Sequence, residues 1–113
     1  MKLETLETLL ETYSAAAAKV AEKRVDLTDA EERRRKELAL HAIELVANGA
    51  TNPLTGKPHS WTSAVEATKD TALADTVRTE NARGRYTLEL AEIEARVAWA
   101  RVQAAVRPVY ADG

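Results

Sequence analysis

The chain has 113 residues, a formal net charge of -2 and no cysteine, and at that length a single domain is the expectation. The absence of cysteine excludes disulfides, thiol nucleophiles and Cys-based zinc sites. There is no Phe, only Trp 2 and Tyr 3, and about 22 alanines; a β-sandwich or α/β core needs β-branched and aromatic bulk, so this inventory favours helices packed through small side chains.

The first arm is read over residues 3–48. Leu3, Leu6, Leu10, Tyr13, Ala17, Val20 and Leu27 follow the three-four spacing of heptad a and d positions, with Arg24 interrupting. Thr28 and Glu31 have the spacing of a capping box, so the arm is either one long helix or two collinear pieces meeting near Asp26–Asp29. Leu38, Leu40, Ala42, Ile43, Leu45 and Val46 make a broad apolar face, and Asn48-Gly49 supplies a helix stop. Residues 49–60 hold two Gly, two Pro and an Asn and read as a loop.

The second arm spans 61–107. Ser63 and Glu66 form a candidate capping box, Asp70 or Thr71 a second start, and Pro108 is expected to end the helix before a short tail. Two adjacent stripes are read on it. One is Leu88, Ala91, Ala95, Ala98, Val102 and Ala105; the other is Tyr86, Leu90, Ile93, Val97, Ala100 and Ala104. A face two stripes wide calls for at least two partner helices.

Folding the arms back at the loop gives an all-α, coiled-coil-like antiparallel hairpin over 1–113, with Leu3–Val20 beside Leu90–Val106 and Leu38–Val46 beside Val65–Val77. A lone two-helix hairpin buries little surface, so a dimer completing a four-helix bundle, or a permanent protein partner, is expected. Leu90, Ile93, Val97, Trp99 and Ala100 are the candidate interface; Trp99 lies off both stripes and is assigned there because an exposed Trp is costly.

For chemistry, Thr55-Gly56-Lys57 has the look of the end of a phosphate loop, but Gly49 is too distant and Pro58 replaces the hydroxyl residue that holds magnesium. Lys57, His59 and Ser60 beside a helix N-terminus are instead candidates for weak anion contact. Arg33, Arg34, Arg35, Arg78, Arg83 and Arg85 gather at the waist of the hairpin, where guanidinium groups suit phosphate. Neighbouring acids, among them Asp26, Asp29, Glu31, Glu32, Glu37, Asp75 and Glu80, nearly cancel them, which favours a solvated face over nucleic-acid binding.

No metal site, cofactor or catalytic triad is expected: His41 and His59 lack a third ligand, and no Ser-His-Asp order falls on neighbouring elements. The acidic start of the chain and the lack of a long apolar run point to a cytoplasmic protein with no membrane partner. The expectation is a non-enzymatic assembly or accessory protein, with nucleic-acid binding by the arginine-rich waist as the alternative.

In size and topology the chain resembles the helical hairpins of type VII secretion, which carry Trp-x-Gly where this chain has Trp61-Thr62-Ser63. Asn52-Pro53-Leu54-Thr55-Gly56-Lys57-Pro58-His59-Ser60, followed by an Ala-rich charged helix, resembles small helical-hairpin proteins of bacteriophages and prophages. That resemblance implies an accessory factor in phage DNA metabolism or virion assembly.

Overall fold

The computed structural model describes residues 3–111 and is an all-α helical hairpin. Its elements are α1 (Leu3–Ala47), α2 (Trp61–Lys69) and α3 (Ala72–Ala111). The reading made on Met1 and Lys2, and the last two residues of the tail, lie outside the described residues. Two compact units are built from these helices, residues 3–27 with 84–111 and residues 28–83.

α1 is one unbroken helix of 45 residues. The Thr28–Glu31 box starts nothing new, because Asp and Thr cost only ~0.5–0.7 kcal/mol each in a helix interior and Leu27 and Ala30 on either side are both half-buried. The buried face of α1 follows Leu6, Leu9, Tyr13, Ala16, Val20, Lys23, Leu27, Ala30 and Arg34, a heptad seam. This corrects the expected register at alternate positions. Leu9, Ala16 and Lys23 take the seam in place of Leu10, Ala17 and Arg24, and Leu10 is 43% exposed.

The matching seam on α3 runs Ala74, Val77, Asn81, Gly84, Leu88, Ala91, Ala95, Ala98, Val102 and Ala105, all buried or half-buried. The stripe expected from Leu88 to Ala105 is therefore the inner face, and it continues towards the N-terminus of α3 through Gly84 and Asn81. The second stripe is not adjacent to it. At about 100° per residue, Tyr86–Ala104 points roughly 160° away from the seam, and its members are exposed.

In the first unit the two helices run antiparallel. Ala16 and Val20 are buried with Ala91, Ala98, Val102 and Ala105, and the small side chains let the backbones approach closely. A Cβ added to Gly84 would lie 2.7 Å from Leu27 Cδ1, so glycine is what admits Leu27 at that layer. Lys19–Glu94 (3.2 Å) and Arg24–Glu92 (3.8 Å) cross the two flanks of the seam. Exposed pairs like these contribute only ~0–1 kcal/mol each, but they mark the antiparallel register.

In the second unit the end of α1 packs against α2 and the start of α3. Ala42 and Ala64 are 1% and 0% exposed. Thr68 is buried; its hydroxyl donates to the Ala64 carbonyl (2.8 Å) and lies 3.0 Å from His41 Nδ1. His41 is half-buried and thus has a hydrogen-bond partner.

α1 ends in a Schellman motif: Ala50 N–H donates to the Leu45 carbonyl (3.0 Å), Gly49 N–H to that of Val46 (3.1 Å), and Gly49 has φ 62°. The loop is ordered as a short β-ribbon. His59 N–H donates to the Ala50 carbonyl (2.9 Å), Asn52 N–H to the Lys57 carbonyl (2.7 Å), and Thr51 pairs with Pro58. Asn52 Oδ1 accepts from Leu54 N–H (3.0 Å), and Gly56 supplies the left-handed residue at φ 67°.

The cap of α2 is Ser60, whose Oγ accepts from Ser63 N–H (3.2 Å), not Ser63 with Glu66 as the spacing suggested. Ser63 sits at the third helical position instead, and Glu66 pairs with Lys69 (2.9 Å). The second start is real: Thr71 Oγ1 accepts from Ala74 N–H (3.2 Å) as α3 begins. α3 does not stop at Pro108 but continues to Ala111. The missing proline N–H removes one backbone bond, while the residues beyond it still donate backwards.

Candidate functional site

The outer face of α3 carries an apolar stripe. Tyr86, Leu90, Ile93 and Val97 are 61%, 48%, 51% and 46% exposed, and Ala100 and Ala104 continue the line. Their spacing alternates four and three residues, the same heptad period as the inner seam. α3 is therefore a two-faced helix, with one seam filled by α1 and the other open. Tyr86, Leu90, Ile93 and Val97 form a contiguous exposed apolar run rather than scattered surface leucines. Glu89, Arg96 and Arg101 flank the stripe.

Of the five residues assigned to the interface, Leu90, Ile93, Val97 and Ala100 lie on this stripe and Trp99 does not. Its ring meets that of Tyr13 on α1, centroids 4.9 Å apart and tilted by 46°. The packing gives Trp99 a partner inside the chain, although 43% of it stays exposed. Beside it, Val102, Gln103, Val106 and Arg107 complete a shallow depression of about 300 Å³.

The second unit holds an open groove of about 320 Å³. Its apolar walls include Leu38, Ala42, Trp61, Val65 and Val77, and its edge carries Arg35, Lys69 and Arg78. Trp61 is 53% exposed there. The sequence signal for this groove was the apolar face at Leu38–Val46 opposite Val65–Val77, and its lining comes from α1, α2 and the start of α3.

The arginines expected to act together have different surroundings. Arg34 lies in the seam of the second unit, where its Nε donates to Glu80 Oε2 (3.0 Å) and its Nη1 to Asn81 Oδ1 (2.8 Å), with only 17% of its side chain exposed. Arg78 is engaged by Asp75 and by the Lys69 carbonyl (3.3 Å). Arg33, Arg35, Arg83 and Arg85 are exposed, and among the described residues Arg33 and Arg35 make no ion pair.

At the loop, Lys57 sits exposed near the ribbon tip. His59 Nδ1 lies 3.0 Å from Ser63 Oγ, and Ser60 is occupied as the cap of α2. Lys57, His59 and Ser60 thus form the ribbon and cap around one helix start, with the Ser63 amide already hydrogen-bonded.

Among the described residues no three His, Asp or Glu side chains gather where a metal ion would be held, and no helix is long and apolar enough to cross a membrane. No family model, curated protein or solved structure matches this chain. The geometry of the surfaces is therefore what bears on function.

Proposed function

We propose that this protein is a non-enzymatic assembly or accessory factor that works through protein–protein contact, with the outer stripe of α3 as its working surface. One observation carries this reading: a second heptad seam, half-exposed at Leu90, Ile93 and Val97, on a helix whose first seam is already filled. A two-helix hairpin buries too little surface to be robust alone, so covering that stripe adds stability as well as affinity. The likeness of the Asn52–Ser60 loop to small phage hairpin proteins suits such a role in a phage or prophage setting.

The test is to replace Ile93 and Val97 together by Lys. Both are exposed, so the folded chain should keep its helicity and stay within ~0.5 kcal/mol of the parent. Native mass spectrometry of protein isolated gently from the cells that make it should show complexes above the 12.4 kDa chain mass that the double variant no longer forms. Complexes of unchanged mass and abundance in the variant would sink the reading.

A second reading rests on Arg33 and Arg35, which are exposed, make no ion pair among the described residues, and carry guanidinium groups suited to phosphate. It requires DNA or RNA binding that weakens steeply with salt and is lost on Arg33→Ala with Arg35→Ala. Binding absent at low salt would remove it.

A further inference from the structure

We infer that the outer stripe of α3 is covered by the same stripe of a second copy of this chain, in antiparallel orientation about a two-fold axis near Ala95. This rests on the assembly reading above and names its partner.

The first argument is the pattern of bulk. With the inner seam of α3 taken as positions a and d, Leu90, Val97 and Ala104 fall at c, and Tyr86, Ile93 and Ala100 fall at f. These two positions stand in the same angular relation as a and d, so they form a complete second seam. Antiparallel pairing about Ala95 sets Tyr86 against Ala104, Leu90 against Ala100, and Ile93 against Val97 of the second copy. Tyr86, Leu90 and Ile93 then each meet a smaller side chain, and the whole stripe is used. A parallel pair in register would stack Tyr86 on Tyr86 and Ala104 on Ala104, crowding one end and leaving the other hollow.

The second argument is charge. Glu89 and Arg96 flank one side of the stripe, and Glu94 and Arg101 the other. Between Tyr86 and Ala104 the flanking acids Glu89 and Glu94 thus precede the flanking bases Arg96 and Arg101. In a parallel pair Glu89 would neighbour Glu94 of the copy, and Arg96 would neighbour Arg101, a set of like-charge contacts. In the antiparallel pair the flanking acids of each stripe lie along the flanking bases of the other, with Arg101 beside Glu94 of the copy.

The inner seam shows the same rule inside one chain. Its antiparallel flanks are bridged by Lys19–Glu94 at 3.2 Å and Arg24–Glu92 at 3.8 Å. Among the described residues, Glu89, Arg96 and Arg101 are exposed and make no ion pair, and they stand ready for the second copy.

The arrangement is isologous, as closed dimers require, so it ends at two copies and does not propagate. Each contributes α1 and α3, and the two α3 helices lie back to back between the two α1 helices. This is the four-helix assembly expected from sequence, with the contact now assigned to a single stripe.

Because the chain has no cysteine, single replacements report proximity cleanly. The experiment uses Tyr86→Cys and Ala104→Cys, both at exposed positions, with circular dichroism as the check on folding and sedimentation as the check on mass. On mild oxidation each variant alone should remain uncrosslinked, and an equimolar mixture should give a covalent dimer in high yield. Self-crosslinking of each variant alone overturns the inference in favour of a parallel pair. A dimer that crosslinks in no combination overturns it in favour of another face. A monomer at about 100 μM, roughly the concentration at which weak self-association saturates, overturns the second copy as partner; complexes with a different protein that Ile93→Lys with Val97→Lys abolishes would then still support the assembly reading.

Discussion

Leu27 and Gly84 meet across the seam of the first unit, and a Cβ on residue 84 would come within 2.7 Å of Leu27 Cδ1. The glycine is thus a hole for the leucine in the middle of a helix, where it costs about 1 kcal/mol relative to Ala by propensity alone. Gly84→Ala gains that propensity while displacing the end of a side chain that can turn, so its stability by urea unfolding should fall within ~1 kcal/mol of the parent. Gly84→Leu cannot be accommodated so cheaply and should lose ~1–3 kcal/mol. Leu27→Ala added to Gly84→Leu should restore part of the loss, a coupling that additive effects would not produce.

Arg34 and Asn81 form a polar layer in the seam of the second unit, with a 2.8 Å hydrogen bond reinforced by Glu80 at 3.0 Å. Asn81→Ala leaves a largely buried guanidinium short of one partner and should cost ~1–3 kcal/mol. Replacing both members by Leu should be neutral or stabilising, because the desolvated charge is gone and the layer becomes apolar. Chemical denaturation distinguishes the two; a double variant less stable than Asn81→Ala would show that this layer contributes more than a satisfied polar pair.

Ala64 and Ala100 have the same side chain and opposite circumstances. Ala64 is wholly buried between helices and Ala100 faces outward on α3. Ala64→Leu should therefore destabilise by ~1–3 kcal/mol through overpacking. Ala100→Leu should change the unfolding of the dilute chain by no more than ~0.5 kcal/mol. Thermal unfolding at low protein concentration checks both.

Gly49 has φ 62° and open space around its missing side chain. Gly49→Ala should lose ~1 kcal/mol from left-handed strain alone, with no packing defect. A hydrogen-exchange experiment should locate faster opening at the end of α1 and in the ribbon. A uniform change across the whole chain would argue that the Schellman motif closes more than its own turn.

The helical class, the two arms, the Asn48-Gly49 stop and the inner stripe from Leu88 to Ala105 were legible from spacing and breakers, because helix periodicity and glycine chemistry act locally. The register of α1 was not. Leu9 and Leu10, Ala16 and Ala17, and Lys23 and Arg24 are neighbouring pairs of similar residues, so two heptad frames fit equally well. Only packing against α3 selects between them, burying Ala16 and leaving Leu10 43% exposed. The start of the second arm at residue 61 was legible from the loop composition, but its capping residue was not, since Ser63 and Glu66 offer an equally good local pattern and the ribbon geometry favours Ser60.

Composition opened the problem with many alanines, few aromatics and a charge near zero, and by itself it determined the class: helices held close by small side chains. It could not say which alanines were inside, because burial depends on what lies opposite each residue, and that partner is distant in the chain. Tertiary structure decided that Ala91 and Ala98 are core while Ala100 and Ala104 belong to an open second seam. It also turned a diffuse cluster of arginines into distinct roles, with Arg34 held inside a seam and Arg33 and Arg35 left at the surface. The near-neutral total charge conceals an ordered one: along the outer stripe of α3 the flanking acids Glu89 and Glu94 precede the flanking bases Arg96 and Arg101.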